Sequence, residues 1–294
     1  MSHALAATTV KTKNEAGLAR MPPLSRIVFW NVNRKDLTGA VCALAKSTAA
    51  DVIILNENNV PSSETLCALR ENVAGDFYIP KPASEDRFHC FCRNSALDLS
   101  EIHSGFRTSV RKYKFENQMF LLVLLHGLDI RNYDDEARRS FMQDLMRDLK
   151  FIREDKENNK LILLGDFNMN PYDRAMNSAA GLNAMMTRSC AAKETRQHLG
   201  KKYDFYYNPM WSLLGDNTKG PAGTAYDTSS QGPYGWSMLD QVVLHHSIIP
   251  FFNKVEILTE AGEYSFMDKN GRPDAKNASD HFPIVVDFCG GHHE

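Results

Sequence analysis

Short apolar segments that end in a polar side chain recur along this sequence, with amphipathic segments between them. Residues 26–30 are followed by Asn31, and residues 51–55 are followed by Asn56 and Glu57. Between these two segments, apolar residues recur at the spacing of a helix. Strands that are apolar along their whole length are typical of sheets covered on both faces. The alternation therefore predicts an α/β fold in which helices cover the sheets.

The same alternation continues to the end of the chain. A long apolar strand is predicted at 119–126, and the most regular amphipathic helix follows at 134–157. Further segments follow the same rules: a helix at 62–73 and strands at 160–164, 239–244 and 283–288. Two stacked sheets with helices outside accommodate this set. We expect one domain at 25–289, a disordered or tag-like tail at 1–24 and a C-terminal tail at 290–294.

Charge and apolar content restrict the function and the location. The formal net charge is −2, whereas proteins that coat duplex DNA usually carry a strongly basic face. No apolar run approaches the roughly 20 residues of a membrane-spanning helix, and residues 1–20 lack the apolar core of a signal peptide. The six cysteines form no C-x-x-C pair. These features predict a cytoplasmic protein with free thiols that does not act in a membrane.

The segment 163–171, Leu-Leu-Gly-Asp-Phe-Asn-Met-Asn-Pro, is the most informative for chemistry. A predicted strand ends at Gly165, and the period of two places Asp166 and Asn168 on the same side. A carboxylate beside an amide at a rigid strand end is suited to binding or catalysis. Taken alone, the same residues are equally consistent with an Asx-capped turn before a helix.

Polar residues stand at similar positions elsewhere: Asn31, Glu57, His126, Asp240 and the run Ser279-Asp280-His281. Hydrolysis of a phosphoric ester needs a cation to neutralise the phosphate, a group to deprotonate water and an acid for the leaving oxygen. Each residue, taken singly, is explained by a cap or a turn. The whole set along one chain favours a catalytic site.

This ordered set, with Trp30-Asn31 at its start, resembles the endonuclease/exonuclease/phosphatase superfamily, whose fold is DNase-I-like. The resemblance extends over about 26–288, and Gly165-Asp166-Phe167-Asn168 and Ser279-Asp280-His281 are its most specific parts. It implies a four-layer α/β sandwich, in which two packed mixed β-sheets are flanked by helices. It also implies that the site lies at one end of the sandwich.

The resemblance assigns the metal ligands by position. Glu57 and Asn31 correspond to ligands of Mg²⁺, for which Mn²⁺ can substitute, and Asp280 holds a metal or the histidine network. Carboxylate and amide oxygens are the ligands that Mg²⁺ prefers. Asn56 stands where the family has glutamine, so the surroundings of the metal are expected to differ here. Whether one or two ions act is left open.

The resemblance also assigns the catalytic roles. Asp166 orients and deprotonates the attacking water, assisted by Asn168. His281 contacts the scissile phosphate and is polarised by Asp240, because an imidazole–carboxylate pair fixes the tautomer of the imidazole. His126 stabilises the phosphorane or protonates the leaving group. Abasic-site endonucleases have tyrosine at this position, so that subclass is disfavoured.

These features predict a Mg²⁺-dependent phosphodiesterase, a nuclease that cleaves DNA or RNA. The segment 201–236 shows no sustained period and carries the candidate substrate-binding residues Tyr206, Tyr207, Trp211 and Trp236. Aromatic rings stack on bases of single strands, although the same rings can pack the segment onto the core. A phosphatase or phospholipase acting on a small-molecule or lipid phosphoester is the alternative. An inactive binding module would lack a catalytic group, and none is missing.

Overall fold

The computed structural model of the chain describes seven parts of it: 25–81, 87–95, 97–115, 118–155, 158, 160–229 and 234–289. The predicted tails at 1–24 and 290–294 lie outside the described residues. The helices are α1 (Thr38–Thr48), α2 (Ser62–Asn72), α3 (Asp135–Asp155), α4 (Arg174–Asn177) and α5 (Arg188–Ala191). No helix in these ranges is long and apolar enough to cross a bilayer.

The strands follow the predicted apolar segments and add several that were not predicted. In chain order they are β1 (Ser25–Asn31), β2 (Val52–Asn56), β3 (Phe88–Cys92), β4 (Glu101–Gly105), β5 (Thr108–Phe115), β6 (Gln118–His126), β7 (Leu161–Asp166), β8 (Ala184–Met185), β9 (Thr195–His198), β10 (Lys201–Asp204), β11 (Tyr206–Tyr207), β12 (Ala225–Asp227), β13 (Gly235–Ser237), β14 (Asp240–His245), β15 (Phe252–Ile257), β16 (Glu260–Ala261), β17 (Tyr264–Ser265) and β18 (Ile284–Phe288). Two large mixed sheets result, with the orders β15-β18-β1-β2-β3 and β4-β5-β6-β7-β14-β11-β8.

Alternate residues of β1 serve two different cores. Ile27 and Phe29 pack between the two large sheets. Val28 and Trp30 point the other way and pack with residues of α1 and α2. Both faces of the strand are therefore apolar, which explains its continuous apolar sequence.

The seven-stranded sheet repeats this arrangement on its own outer face. Leu122 and Leu124 of β6 enter the core between the sheets. Val123 and Leu125 pack instead against α3, where Leu149 is buried with them. Full burial of a leucine side chain contributes about 1.5–3 kcal/mol. The four layers helix, sheet, sheet and helix confirm the predicted α/β sandwich.

The strand registers place the polar strand ends at one edge of the sandwich. β1 and β2 are parallel, and Asn31 lies beside Asn56. β6 and β7 are also parallel, and His126 lies beside Asp166. β14 runs antiparallel to β7 and begins with Asp240 opposite Asp166. Parallel strands end at the same edge of a sheet, so residues distant in sequence become neighbours.

The segment 201–236 shows no sustained period in the sequence, yet it forms regular structure. It contains β10 to β13 and a 3-10 helix at Pro209–Leu213. Each element is only two to five residues long. A period cannot be recognised over so few residues, because a pattern needs several repeats to stand out.

Candidate active site

Asp240 and His281 form a buried pair at the end of the sandwich. His281 Nδ1 lies 2.7 Å from Asp240 Oδ2. Thr224 holds the start of β14. Its Oγ1 accepts hydrogen bonds from the backbone N–H groups of Leu239 and Asp240 at 3.0 Å each. Burial lowers the pKa of His281, but the charge and hydrogen bond of Asp240 outweigh it and raise that pKa well above its usual value. The raised pKa favours the protonated imidazole, which is suited to a phosphate oxygen.

Asp166 lies at the end of β7, opposite Asp240. Its Oδ1 accepts from the backbone N–H of Asn168 at 2.8 Å, and its Oδ2 accepts from Asn31 Nδ2 at 3.1 Å. Burial raises the pKa of Asp166, the charge of Asp240 adds to this rise, and the charge of His281 opposes it. A carboxyl group with a raised pKa binds a proton more readily, as a general base requires.

Gly165 is required for this close arrangement of strands. A Cβ atom at Gly165 would lie 2.0 Å from the carbonyl oxygen of Leu125 on the neighbouring strand. No side chain can occupy that position without separating β6 from β7. Gly165 therefore allows the close packing of two backbones beside the site.

His126 lies between two carboxylates. Its Nε2 is 3.5 Å from Glu57 Oε1 and 3.9 Å from Asp166 Oδ2. Burial lowers the pKa of His126 to about 4, against the opposing charge of Asp166. The ring is therefore neutral at pH 7. Of the two roles expected for His126, stabilisation through an N–H group fits this state better than proton donation.

Several oxygen atoms at this edge suit a hard divalent cation. Glu57 and Asp280 line a cleft at this edge and offer carboxylate oxygens. Asp240 Oδ1 is buried without a hydrogen-bond partner among the described residues. Carboxylate oxygens of this kind fit Mg²⁺. Asn31 fits less well, because its Oδ1 accepts from the N–H of Asn33 at 3.0 Å while its Nδ2 faces the carboxylates of Glu57 and Asp166. Ligation by Asn31 requires its amide to turn over.

A buried amide network beneath the site was not predicted. Asn170 Oδ1 accepts from the N–H of Met238 at 2.8 Å, and Gln241 Nε2 donates to the carbonyl of Met169 at 2.6 Å. Asn208 Nδ2 donates to Gln241 Oε1 at 2.7 Å. These bonds join the loop after Asp166 to β14. A glutamine within an apolar strand gives no signal of such a role in the sequence.

The predicted substrate-binding role of Tyr206 and Tyr207 is contradicted by their burial. Tyr206 and Tyr207 are 1% and 7% exposed and belong to the core. Trp236 is half-buried and its ring stacks on Phe282, with centroids 6.3 Å apart. Trp211 is also half-buried and does not line the cleft described below. Tyr206 and Tyr207 are not free stacking surfaces, because strand pairing and core packing cover them, whereas the role of the half-buried Trp211 and Trp236 stays a prediction.

Tyr226 is the aromatic residue that lines the cleft. This cleft has a volume of about 660 Å³ and contains Glu57, Asp166 and His281 among its lining residues. The guanidinium of Arg272 lies 4.0 Å from the centre of the Tyr226 ring. A cation over an aromatic face holds the ring in place. The candidate for base stacking is therefore Tyr226 of β12 and not the buried Tyr206 and Tyr207.

Arg107 brings a positive charge to the same cleft. It lies in the two-residue turn between β4 and β5 with φ +60°, a conformation that favours glycine. Its Nε donates to the carbonyl of His126 at 2.9 Å, and its own carbonyl accepts from the N–H of His126 at 3.0 Å. No carboxylate pairs with Arg107 in the described part of the chain. A strained arginine tied to His126 fits a phosphate-binding role.

A second group of possible metal ligands occurs at the opposite end of β14. Asp204, His245 and His246 lie close together. Arg153 donates to Asp204 Oδ2 at 3.0 Å and lies 3.3 Å from His245 Nε2. The guanidinium thus occupies the position that a cation would take. We interpret this group as an ion-pair cluster, and His245 is buried rather than solvated.

The comparisons with known proteins agree with this fold. The sequence profile of the Endonuclease/Exonuclease/phosphatase family matches residues 28–281. The structure of D. rerio TDP2 complexed with single strand DNA product is similar, with a TM-score of 0.54, 18% identity, and coverage of 90% of this chain and 99% of that one. A mannosyl-6-phosphatase of Bacteroides thetaiotaomicron has a TM-score of 0.57, 15% identity, and coverage of 90% and 100%. At these identities the likeness shows the fold alone.

A search of curated proteins found no match.

Proposed function

The chain belongs to the Endonuclease/Exonuclease/phosphatase family, and we propose that it is a Mg²⁺-dependent phosphodiesterase that cleaves nucleic acid. Members of this family hydrolyse phosphoric esters and depend on a divalent metal. Both the choice of nucleic acid and the choice of Mg²⁺ are our proposals. The observation that carries them is one cleft that combines the carboxylate and histidine cluster, Arg107 and the ring of Tyr226.

In the proposed reaction, Asp166 accepts the proton of the attacking water. The carboxylate is oriented by the N–H of Asn168 and by Asn31 Nδ2. Water then attacks the phosphorus atom, the P–O bond to the leaving group breaks, and the leaving oxygen takes up a proton from solvent. Raised basicity together with a fixed orientation is what general-base catalysis needs.

Cationic groups and N–H donors around the phosphate stabilise the charge that develops on its oxygens. His281 is held cationic by Asp240, and the neutral ring of His126 offers an N–H donor on the opposite side of Asp166. Glu57 and Asp280 are the proposed ligands of the metal, joined by Asn31 once its amide turns over. When bound, the cation neutralises phosphate charge and orients the ester.

Nucleic acid is proposed as the substrate because the cleft offers two different kinds of contact. Arg107 and Arg131 line it with positive charge, and Tyr226 lines it with an aromatic ring. A nucleotide chain needs both, since its phosphates are anions and its bases stack. The single-stranded product bound to D. rerio TDP2 supports the choice by analogy of fold.

A phosphatase acting on a small phosphomonoester is the second candidate. Arg107 beside His126 suits a dianionic monoester, because a guanidinium binds two phosphate oxygens together. The similar fold of a mannosyl-6-phosphatase favours the same reading.

Hydrolysis of four substrates separates these candidates: single-stranded DNA, RNA, a dinucleotide and a phosphomonoester, each with Mg²⁺ and with a chelator. We expect the polynucleotides to give the highest kcat/KM and the chelator to abolish turnover. Preference for the monoester would favour the phosphatase. Turnover that survives chelation would exclude the metal assignment.

A further inference from the structure

Arg138 joins the first turn of α3 to the loop that follows Asp166. Only 5% of the residue is exposed. Its Nη2 donates to the carbonyl of Asn168 at 2.6 Å and to Asp173 Oδ2 at 3.2 Å, and its Nη1 donates to Asp135 Oδ1 at 2.9 Å. A buried guanidinium with three acceptors is a fixed anchor.

The residue held by this anchor has an unusual backbone conformation. Asn168 has φ +51°, in the left-handed region that asparagine enters more readily than most other residues with a side chain. In this conformation its N–H points to Asp166 Oδ1, and its Nδ2 donates to the carbonyl of Gly127 at 3.2 Å. These hydrogen bonds fix the conformation of Asn168 from its side chain and its N–H. Arg138 holds the same residue from the carbonyl side.

Asp173 completes a clasp around the same loop. Its Oδ2 accepts from the N–H of Asn170 at 3.0 Å as well as from Arg138. Segment 168–170 is therefore held at both ends by one ion pair. Burial raises the pKa of Asp173, and the charge of Arg138 opposes that rise.

We propose that Arg138 is a positioning residue for hydrolysis at this site. Through the carbonyl of Asn168 and through Asp173, it keeps the N–H of Asn168 on Asp166 and thereby fixes the direction of the carboxylate. Arg138 acts through these groups and does not touch the reacting atoms. This inference rests on the proposed function of Asp166 as the base that activates water.

The adjacent arginine provides a matched control. Arg139 lies on the same turn of α3, but its only ion pair among the described residues is with Glu136 on the surface, at 2.7 Å. Arg138→Met should lower kcat by about 10²-fold, the order expected for a misplacement near 1 Å, while KM for bis(p-nitrophenyl) phosphate with Mg²⁺ stays unchanged. Arg139→Met should leave both constants unchanged. Arg138→Lys should recover part of kcat, because an ammonium can still bond the carbonyl of Asn168.

Hydrogen–deuterium exchange gives a readout that is independent of activity. Amides in 166–173 should exchange faster in Arg138→Met than in Arg139→Met, and Asp173→Asn should have the same effect. If Arg138→Met does not fold, Arg138→Lys and Asp173→Asn carry the test. Unchanged exchange in this segment, or a kcat per folded molecule equal to that of Arg139→Met, would overturn the proposal. Wild-type protein without hydrolytic activity would instead refute the proposed function, and the exchange measurement would still test the clasp.

Discussion

At the scale of single residues, Asp166 and Asp204 lie near opposite ends of β14 and separate catalysis from stability. Asp240 begins the strand opposite Asp166, and Asp204 pairs with Arg153 near the other end. Asp166→Asn should lower kcat by about 10²–10⁴-fold, because proton transfer from water is lost. Asp204→Asn should lower the melting temperature and leave kcat unchanged.

Steady-state kinetics and thermal unfolding of both variants check this prediction. His281→Ala should behave as Asp166→Asn does, since it removes the cation paired with Asp240. If the loss in Asp166→Asn followed the fraction of unfolded protein alone, the residue would be structural.

A buried histidine outside the site predicts how stability depends on pH. Burial lowers the pKa of His245 from 6.5 to about 4. Between these two values the unfolded chain binds a proton that the folded chain excludes, so stability falls as the pH falls through this window. Each such group contributes at most about 1.4 kcal/mol per pH unit.

His245→Asn should reduce this slope, measured by denaturant unfolding at several pH values. The amide oxygen of asparagine can still accept from the N–H of Ser247, as His245 Nδ1 does at 3.4 Å. His126, whose pKa burial also lowers to about 4, should maintain the remaining slope. A slope equal to that of wild type would contradict the assignment to His245.

At the scale of elements, two hairpin turns have left-handed residues with different surroundings. Arg107 in the turn between β4 and β5 has φ +60°, and Leu199 in the turn between β9 and β10 has φ +48°. Glycine at either position relieves about 1–2 kcal/mol of backbone strain. Leu199→Gly should therefore raise the melting temperature without changing activity, because its side chain is 87% exposed.

Arg107→Gly should give a different combination. Relief of strain offsets the lost hydrogen bond to the carbonyl of His126, which is worth about 1 kcal/mol, so the melting temperature should change little. The kcat/KM should fall, because the phosphate loses a guanidinium partner. Equal kcat/KM in Arg107→Gly and Leu199→Gly would show that Arg107 does not bind the phosphate.

The hairpin of β12 and β13 should determine how a nucleotide chain binds. Tyr226→Ala should weaken oligonucleotide binding by about 1–3 kcal/mol, as for a lost stacking partner, and so raise KM for the oligonucleotide. The KM for a minimal phosphodiester should stay unchanged. Tyr207→Ala should instead lower stability by a few kcal/mol, about the cost of a core cavity. KM for both substrates, measured beside the melting temperature, tests the difference. Equal effects of Tyr226→Ala on both substrates would remove the argument for base stacking.

At the scale of the whole molecule, the site combines a proposed metal ligand beside the five-stranded sheet with the proposed base of the seven-stranded sheet. Glu57 follows β2 of the five-stranded sheet, and Asp166 ends β7 of the seven-stranded sheet. An ion that binds only the folded state raises the free energy of unfolding, by about 2.7 kcal/mol at a hundred times its Kd. Mg²⁺ should therefore raise the melting temperature of the wild type and raise that of Glu57→Gln much less. An equal rise in both would argue against Glu57 as a ligand.

Much of this architecture follows from local sequence patterns. The apolar segments at 26–30, 119–126 and 160–164 predict β1, β6 and β7 to within two residues, and the helix predicted at 134–157 forms at Asp135–Asp155. Alternation within a strand is a property of the backbone, so faces can be assigned without tertiary information. The resemblance to the family is confirmed by the profile match, and the described structure confirms the fold class.

Only the tertiary structure decided which side chains surround the site. Asp240 meets Asp166 through strand pairing and His281 through a side-chain contact, across separations that no local period spans. Tyr206 and Tyr226 look alike in the sequence, yet one fills the core and the other lines the cleft. Burial depends on the elements that pack against a residue, whereas periodicity depends only on its neighbours along the chain. The sequence by itself therefore determined the layers and the polar strand ends, and long-range packing decided the partners and charge states of the residues at those ends.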